Sequence, residues 1–120
     1  MQIKIPFKTP SVNHLYFVWK GRKILTKEAR ALKKEIAEII GETGIIGFSE
    51  KPLKVSVDIY ENWFCKNGEV YKKDIANREK FLIDAVFEAL EMDDKFIFES
   101  KFKKIQSETE EAAIITIEVL

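Results

Sequence analysis

The sequence predicts an α+β fold: one domain over residues 1–120, built as β-α-β-α-β-β, with a mixed four-stranded sheet and helices packed on it. Two observations carry that expectation. The chain has 120 residues, of which 46% are hydrophobic, enough for one ordinary core and too little for two. Four segments alternate apolar and polar residues at a period of two, and two others repeat their apolar residues at helical spacing. Internal repeats, low-complexity stretches and linkers are missing from the sequence.

The elements follow in order. Gln2–Phe7 sets Ile3, Ile5 and Phe7 on one side and reads as an opening strand, with Pro6 and Pro10 limiting it to an edge or an early end. Residues 8–25 read as a polar, aromatic connection that finishes in Lys20-Gly21-Arg22-Lys23. Thr26 is a good N-cap for a helix to about Ile40, whose Ala29, Leu32, Ile36, Ile39 and Ile40 follow helical spacing, and Gly41 and Gly44 are stop signals. Leu53, Val55, Val57 and Ile59 alternate with Lys54, Ser56, Asp58 and Tyr60 as a half-buried strand. A loop around Lys66-Asn67-Gly68 leads to a second helix, capped by Asp74 and continuing to about Leu90. Residues 96–104 and 112–120 alternate again across an acidic turn at Ser107–Glu111.

Along the second helix Ile75, Leu82, Val86 and Ala89 cluster on one side, and Asn77, Lys80 and Asp84 on the other. Phe81, Ile83 and Phe87 occupy flanks that a simple surface helix would keep polar. That excess predicts a second cover for the helix, supplied by the other subunit of a homodimer or by a loop of the same chain.

The 20 basic and 20 acidic residues cancel, but their distribution does not. Residues 1–34 hold nine Lys or Arg against one acid, Glu28, while residues 81–94 hold five acids and no base. A polyanion responds to fields within a Debye length of ~10 Å, so a basic surface beside an acidic pocket suits a metal-dependent nuclease. No apolar run approaches the length of a membrane span and no secretory leader is evident. Cys65 is the only cysteine, which excludes an internal disulfide and leads us to expect a cytoplasmic setting and no membrane partner.

Two aromatic-basic sets could stack on unpaired bases while binding phosphates: Tyr16, Trp19, Lys20, Arg22 and Lys23, and Trp63, Phe64, Lys66, Tyr71, Lys72 and Lys73. For Trp19 and Trp63, core packing is the equal alternative. Asp74 and Asp93-Asp94 are hard oxygen donors of the kind magnesium prefers. They stand at opposite ends of a helix of roughly 25 Å. They meet only if the chain returns along that helix or two subunits bring opposite ends together. On spacing alone, Asp74 reads as an N-cap and Asp93-Asp94 as a turn.

Several of these features, in this order, resemble the RusA family of Holliday-junction resolvases. Pro10-Ser11-Val12-Asn13-His14-Leu15-Tyr16 is similar to its P-S-x-N-x-x-Y signature, and Gly21-Arg22 before the Thr26 helix is similar to its Gly-Arg turn. Lys73-Asp74-Ile75-Ala76-Asn77, Lys80 and Asp84-Ala85 resemble its basic-D-x-D-N-x-x-K helix with a trailing D-A, and Asp93-Asp94 its following acid pair. The resemblance implies a homodimeric endonuclease that cuts four-way junctions and other branched DNA with Mg2+, Mn2+ being the alternative ion. It implies Asp74, Asp93 and Asp94 as metal ligands; Asp74, Lys80 and Asp94 as the catalytic set; and Asn77 as a supporting residue, with Asp84 beside it. Asn13, Tyr16, Lys20, Arg22, Lys23, Lys72, Lys73 and Arg78 become the expected DNA contacts.

One position departs from the family pattern. Ala76 stands where the family carries the second acid of D-x-D-N, and it offers no oxygen to a metal. Glu79 and Asp84 are the candidates to compensate, and Asp84, on the face of Asn77 and Lys80, is the better of the two. Two further readings therefore stay open: a relative that binds junctions without cutting them, and a small interaction module unrelated to DNA, for which zero net charge is the support.

Overall fold

The computed structural model describes residues 1–10, 12–47, 50–73 and 76–120, apart from the side chains of Val12, Asn13, Ala76 and Asn77. Along the chain come β1 (Gln2–Ile5), α1 (Val12–Leu15), β2 (Tyr16–Trp19), β3 (Arg22–Leu25), α2 (Lys27–Thr43), β4 (Leu53–Glu61), α3 (Ala76–Ala89), β5 (Ile97–Gln106) and β6 (Ala112–Val119). A 3-10 turn at Asp94–Phe96 leads into β5. The main sheet has the order β1-β6-β4-β5, with β4 parallel to β5 and antiparallel to β6, and β1 antiparallel to β6. The expected α+β class and mixed four-stranded sheet are therefore those of the protein.

Alternation decides which face of the sheet is covered. Leu53, Val55, Val57 and Ile59 on β4 stand in register with Val119, Ile117, Ile115 and Ala113 on β6, and Ile3 and Ile5 of β1 continue the row. The core around them is closed by Ala29, Ile36 and Ile40 of α2 and by Phe81, Leu82, Val86 and Phe87 of α3. Each large aliphatic side chain buried in this way stabilises the fold by about 1.5–3 kcal/mol, opposed by the entropy of ordering the chain. β1 stops at Ile5 because Pro6 has no N–H to offer the ladder.

Two elements differ from expectation. Residues 16–25 form an antiparallel hairpin, pairing Tyr16 with Leu25 and Trp19 with Arg22. Lys20 and Gly21 both have positive φ, 49° and 72°, as a two-residue type I′ turn requires. The hairpin escaped the sequence because Phe17, Val18 and Trp19 are exposed in a row and Ile24 and Leu25 are half-buried side by side, so no burial alternation marks its strands. α2 also runs past Ile40 to Thr43, ending where Gly44 takes the left-handed conformation at φ 69°. Its start is as expected: Thr26 Oγ1 accepts from Ala29 N at 3.0 Å and donates to the His14 carbonyl at 2.7 Å.

α3 corrects the argument for a second cover from a partner. Phe81, Ile83 and Phe87 are 1%, 7% and 2% exposed within the single chain, so its flanks are covered without another subunit. The segment after α2 packs just past the end of α3: Gly47 passes so close that a Cβ there would lie 2.6 Å from the Leu90 carbonyl oxygen and 2.8 Å from Met92 Cγ. Gly47→Ala should accordingly destabilise the fold by about 1–3 kcal/mol, since backbone has to give way. Urea unfolding of the two proteins checks this; equal midpoints would mean the segment moves aside freely.

Candidate active site

β4, α3 and β5 make a parallel crossover, so α3 runs antiparallel to both strands and its two ends lie at opposite ends of the sheet. Sequence-predicted residues fall at each end.

At the C-terminal end, Asp84, Asp93 and Asp94 line one open cavity of about 540 Å³ together with Lys33 and Glu88. Lys33 Nζ lies 2.7 Å from Glu88 Oε2. Asp93 caps the 3-10 turn, its Oδ1 accepting from Lys95 N at 2.9 Å, so the predicted turn is there. Burial raises the Asp84 carboxyl above its ordinary range; Lys80 opposes that rise and Asp94 adds to it. Lys80 is exposed, and its charge is felt by both Glu79 and Asp84. Tyr16 at the base of the hairpin is half-buried, and its hydroxyl is pushed up by burial and by the Asp84 charge. Lys80, Asp84, Asp94 and Tyr16 thus form one electrostatic neighbourhood. Lys23 Nζ lies 5.2 Å from the Tyr16 ring centroid, and Lys20 Nζ 4.5 Å from that of Trp19. Among the described residues, no group of three or more His, Cys, Asp or Glu is arranged to hold a metal ion.

The N-terminal end is organised by a residue that sequence reasoning missed. Glu61 closes β4 on the covered face and is 1% exposed. Its carboxylate accepts from Arg78 Nη1 at 2.6 Å and Lys73 Nζ at 2.9 Å. Burial raises its pKa, but the hydrogen bonds and charges of Lys73 and Arg78 outweigh that, leaving it below the ordinary value. Arg78 also donates to the Thr9 carbonyl at 3.1 Å and lies over the Trp63 ring at 5.0 Å. The signal was present: Leu53, Val55, Val57, Ile59 and Glu61 share one face, and a charge in register with a core row needs a buried partner.

Of the expected DNA contacts, Lys20, Arg22, Lys23 and Lys72 are exposed and Tyr16 is half-buried. Lys73 is drawn to Glu61, and Arg78, at 3% exposure, faces Glu61 and Thr9 from inside the fold. Asn13 belongs to α1 and Asn77 to α3. Asp74, expected as cap, metal ligand and catalytic acid, lies outside the described residues, as does Ile75 of the expected apolar face. Trp63 is core, 2% exposed, its Nε1 donating to the Ile59 and Ile105 carbonyls at 3.2 and 3.1 Å. Trp19 is 55% exposed on the hairpin.

A family model described as Endodeoxyribonuclease RusA matches residues 6–118 of the chain. No curated protein matches it.

Two outcomes follow from these charges. Glu61→Ala removes the buried carboxylate that Arg78 and Lys73 share and should cost about 3–5 kcal/mol, read from denaturant unfolding. Glu79 behaves oppositely. Burial, with the Asp84 charge adding to it and Lys80 opposing it, pushes its carboxyl from 4.5 up to about 7. The folded chain therefore holds a proton that the unfolded chain has released, and stability falls as pH rises between about 4.5 and 7. Glu79→Gln should raise the melting temperature at pH 8 and leave it unchanged at pH 4.5. A gain of equal size at both values would show that the Glu79 charge is not what costs stability.

Proposed function

This chain belongs to the RusA endodeoxyribonuclease family, and we propose that it is a magnesium-dependent, structure-selective endonuclease that cuts Holliday junctions or other branched DNA as a homodimer. The observation that carries the reading is the neighbourhood of Lys80, Asp84 and Asp94 beside the basic hairpin. These are the residue types of the family's helix and acid pair, and they share one electrostatic site.

Asp93 and Asp94, with Asp74, would hold the metal; exposed carboxylate oxygens suit a hard cation that keeps several waters. When bound, magnesium supplies an activated water and neutralises charge on the scissile phosphate. Lys80 offsets the negative charge that grows on the phosphate in the transition state. Lys20, Arg22, Lys23 and Lys72 attract the DNA backbone, while exposed Trp19 is free to stack on a base where the strands part. Arg78 serves the same end indirectly, by fixing the start of α3 to Glu61.

Support for the dimer comes from direction. β5 does return along α3, but Asp94 stands at its beginning, beside the Leu53 end of β4, whereas Lys73 is bonded to Glu61 and Asn62 at the other end. Eight residue steps of strand separate those ends, about 26 Å. A second subunit is the remaining way to bring the acid pair to the segment that carries Asp74. Domain extent over residues 1–120 and a cytoplasmic setting belong to the same proposal.

A second reading, junction binding without cleavage, is favoured by Ala76, which offers no oxygen to a metal. A labelled synthetic four-way junction, incubated with and without magnesium, separates the two. Cleavage that requires magnesium, and that Lys80→Ala lowers about a hundredfold or more while leaving gel-shift affinity within a few-fold, supports the nuclease. Binding with no cleavage at any magnesium concentration supports the second reading. Equal loss of both activities in Lys80→Ala would reduce Lys80 to a phosphate contact.

A further inference from the structure

Among the described residues β5 is the outer strand of the sheet and pairs only with β4, its other edge carrying no strand. It is ten residues long, and Phe98 through Lys104 are all exposed. Its two phenylalanines are among the exposed large apolar side chains, Phe98 at 71% and Phe102 at 40%. Ser100, Phe102 and Lys104 stand opposite Val55, Val57 and Ile59, on the face that carries the helices, yet the helices leave this margin of the sheet uncovered. The irregularity in its pairing falls between Leu53 and Lys54 and leaves Phe98 without a partner on β4, after which Glu99–Gln106 keeps a continuous register. A long, regular edge without proline is a template for another strand. Lysines can protect such an edge, and Lys101, Lys103 and Lys104 alone would repel an identical copy.

The pattern around Ser100 removes that objection. Phe98-Glu99-Ser100-Lys101-Phe102 is self-complementary when read against itself in the opposite direction. In an antiparallel pair centred on Ser100, each Phe98 opposes a Phe102, each Glu99 opposes a Lys101, and the small serine opposes itself at the axis. Aromatic and opposite-charge pairs directly across antiparallel strands are both stabilising. A shift of one residue along either strand breaks the match, placing Phe98 against Lys101 or Lys103. The charge pattern thus selects one partner, another copy of the same strand, and one register.

We propose that two copies of this chain associate through β5, antiparallel and with the twofold axis at Ser100, joining two four-stranded sheets into one continuous sheet. The proposal rests on the homodimer of the preceding section and supplies its interface, which α3, covered within its own chain, does not. In this register the acid pair before one β5 lies toward the partner's Gln106, the end of the strand that Asn62 and Lys73 adjoin.

Sedimentation of the full chain at micromolar concentration should give a mass twice the 14.0 kDa of the chain. Lys101→Glu sets like charges opposite Glu99 at two places and should raise the dimer dissociation constant about tenfold or more, with the thermal melt of the exposed-site variant confirming that it folds. Adding Glu99→Lys to Lys101→Glu should restore association. In a Cys65→Ser background, Ser100→Cys should give a disulfide-linked dimer on mild oxidation, because residues facing across an antiparallel pair have Cα atoms about 4.5–5.5 Å apart, while Lys104→Cys should not. A wild-type monomer overturns the proposal. So does a dimer that is indifferent to Lys101→Glu and does not link through Ser100→Cys. Junction cleavage separates the two readings: cutting by a dimer with some other interface leaves the nuclease standing and this interface fallen. A Ser100-linked dimer that never cuts does the reverse.

Discussion

A carboxylate at the inner end of a strand has no water to solvate it, and Glu61 takes its counter-charges from the segments around it. Arg78 comes from the first turns of α3, Lys73 from the loop before it, and Lys8, at 4.0 Å, from the stretch after β1. Arg78 reaches on to the Thr9 carbonyl, and its guanidinium and the Lys73 and Lys104 ammonium groups surround the Trp63 ring. The end of β4, the N-terminal connection and the start of α3 are thereby held at one point. Removing one partner strands the others, which is why such a cluster costs more to break than it contributes to stability when compared with an apolar replacement. Lys73 and Arg78 are consequently positioned from inside the protein.

The other end of α3 is organised by repulsion. Asp84, Asp93, Asp94 and Glu88 gather with Lys33 and Lys80 as the nearby cations. Burial raises the Asp84 carboxyl, with the Asp94 and Glu88 charges adding to the rise, and a cation bound nearby would relieve that cost. With the basic hairpin close by, the chain of zero net charge presents opposite fields within a short distance, and Tyr16, which senses Asp84, marks where they meet.

Period-two alternation placed β4 and β6 because one face of each is buried and the other is not. The same test passed over the hairpin, since Phe17, Val18 and Trp19 are exposed together and carry no alternation. For α3, helical spacing left cover by a partner or by the same chain open; the flanks at Phe81, Ile83 and Phe87 are buried within the single chain, which no local window of sequence could decide. In the candidate site, Lys80, Asp84 and the acid pair were legible as residue types on a helix and a turn. That Arg78 points inward was not, because an arginine near a basic cluster looks the same whether or not a buried glutamate lies across from it.

The sequence by itself determined the family, the order of elements and the chemistry of the residues carried by α3, because these depend on composition, spacing and periodicity within short stretches of chain. Only the tertiary structure decided that β5 runs parallel to β4, which sends Asp94 and the Lys73 segment to opposite ends of the sheet. It alone showed that α3 is covered from within while the β5 edge is left open. Strand order and direction depend on contacts between residues far apart in the chain, and burial is a property of the whole packed molecule.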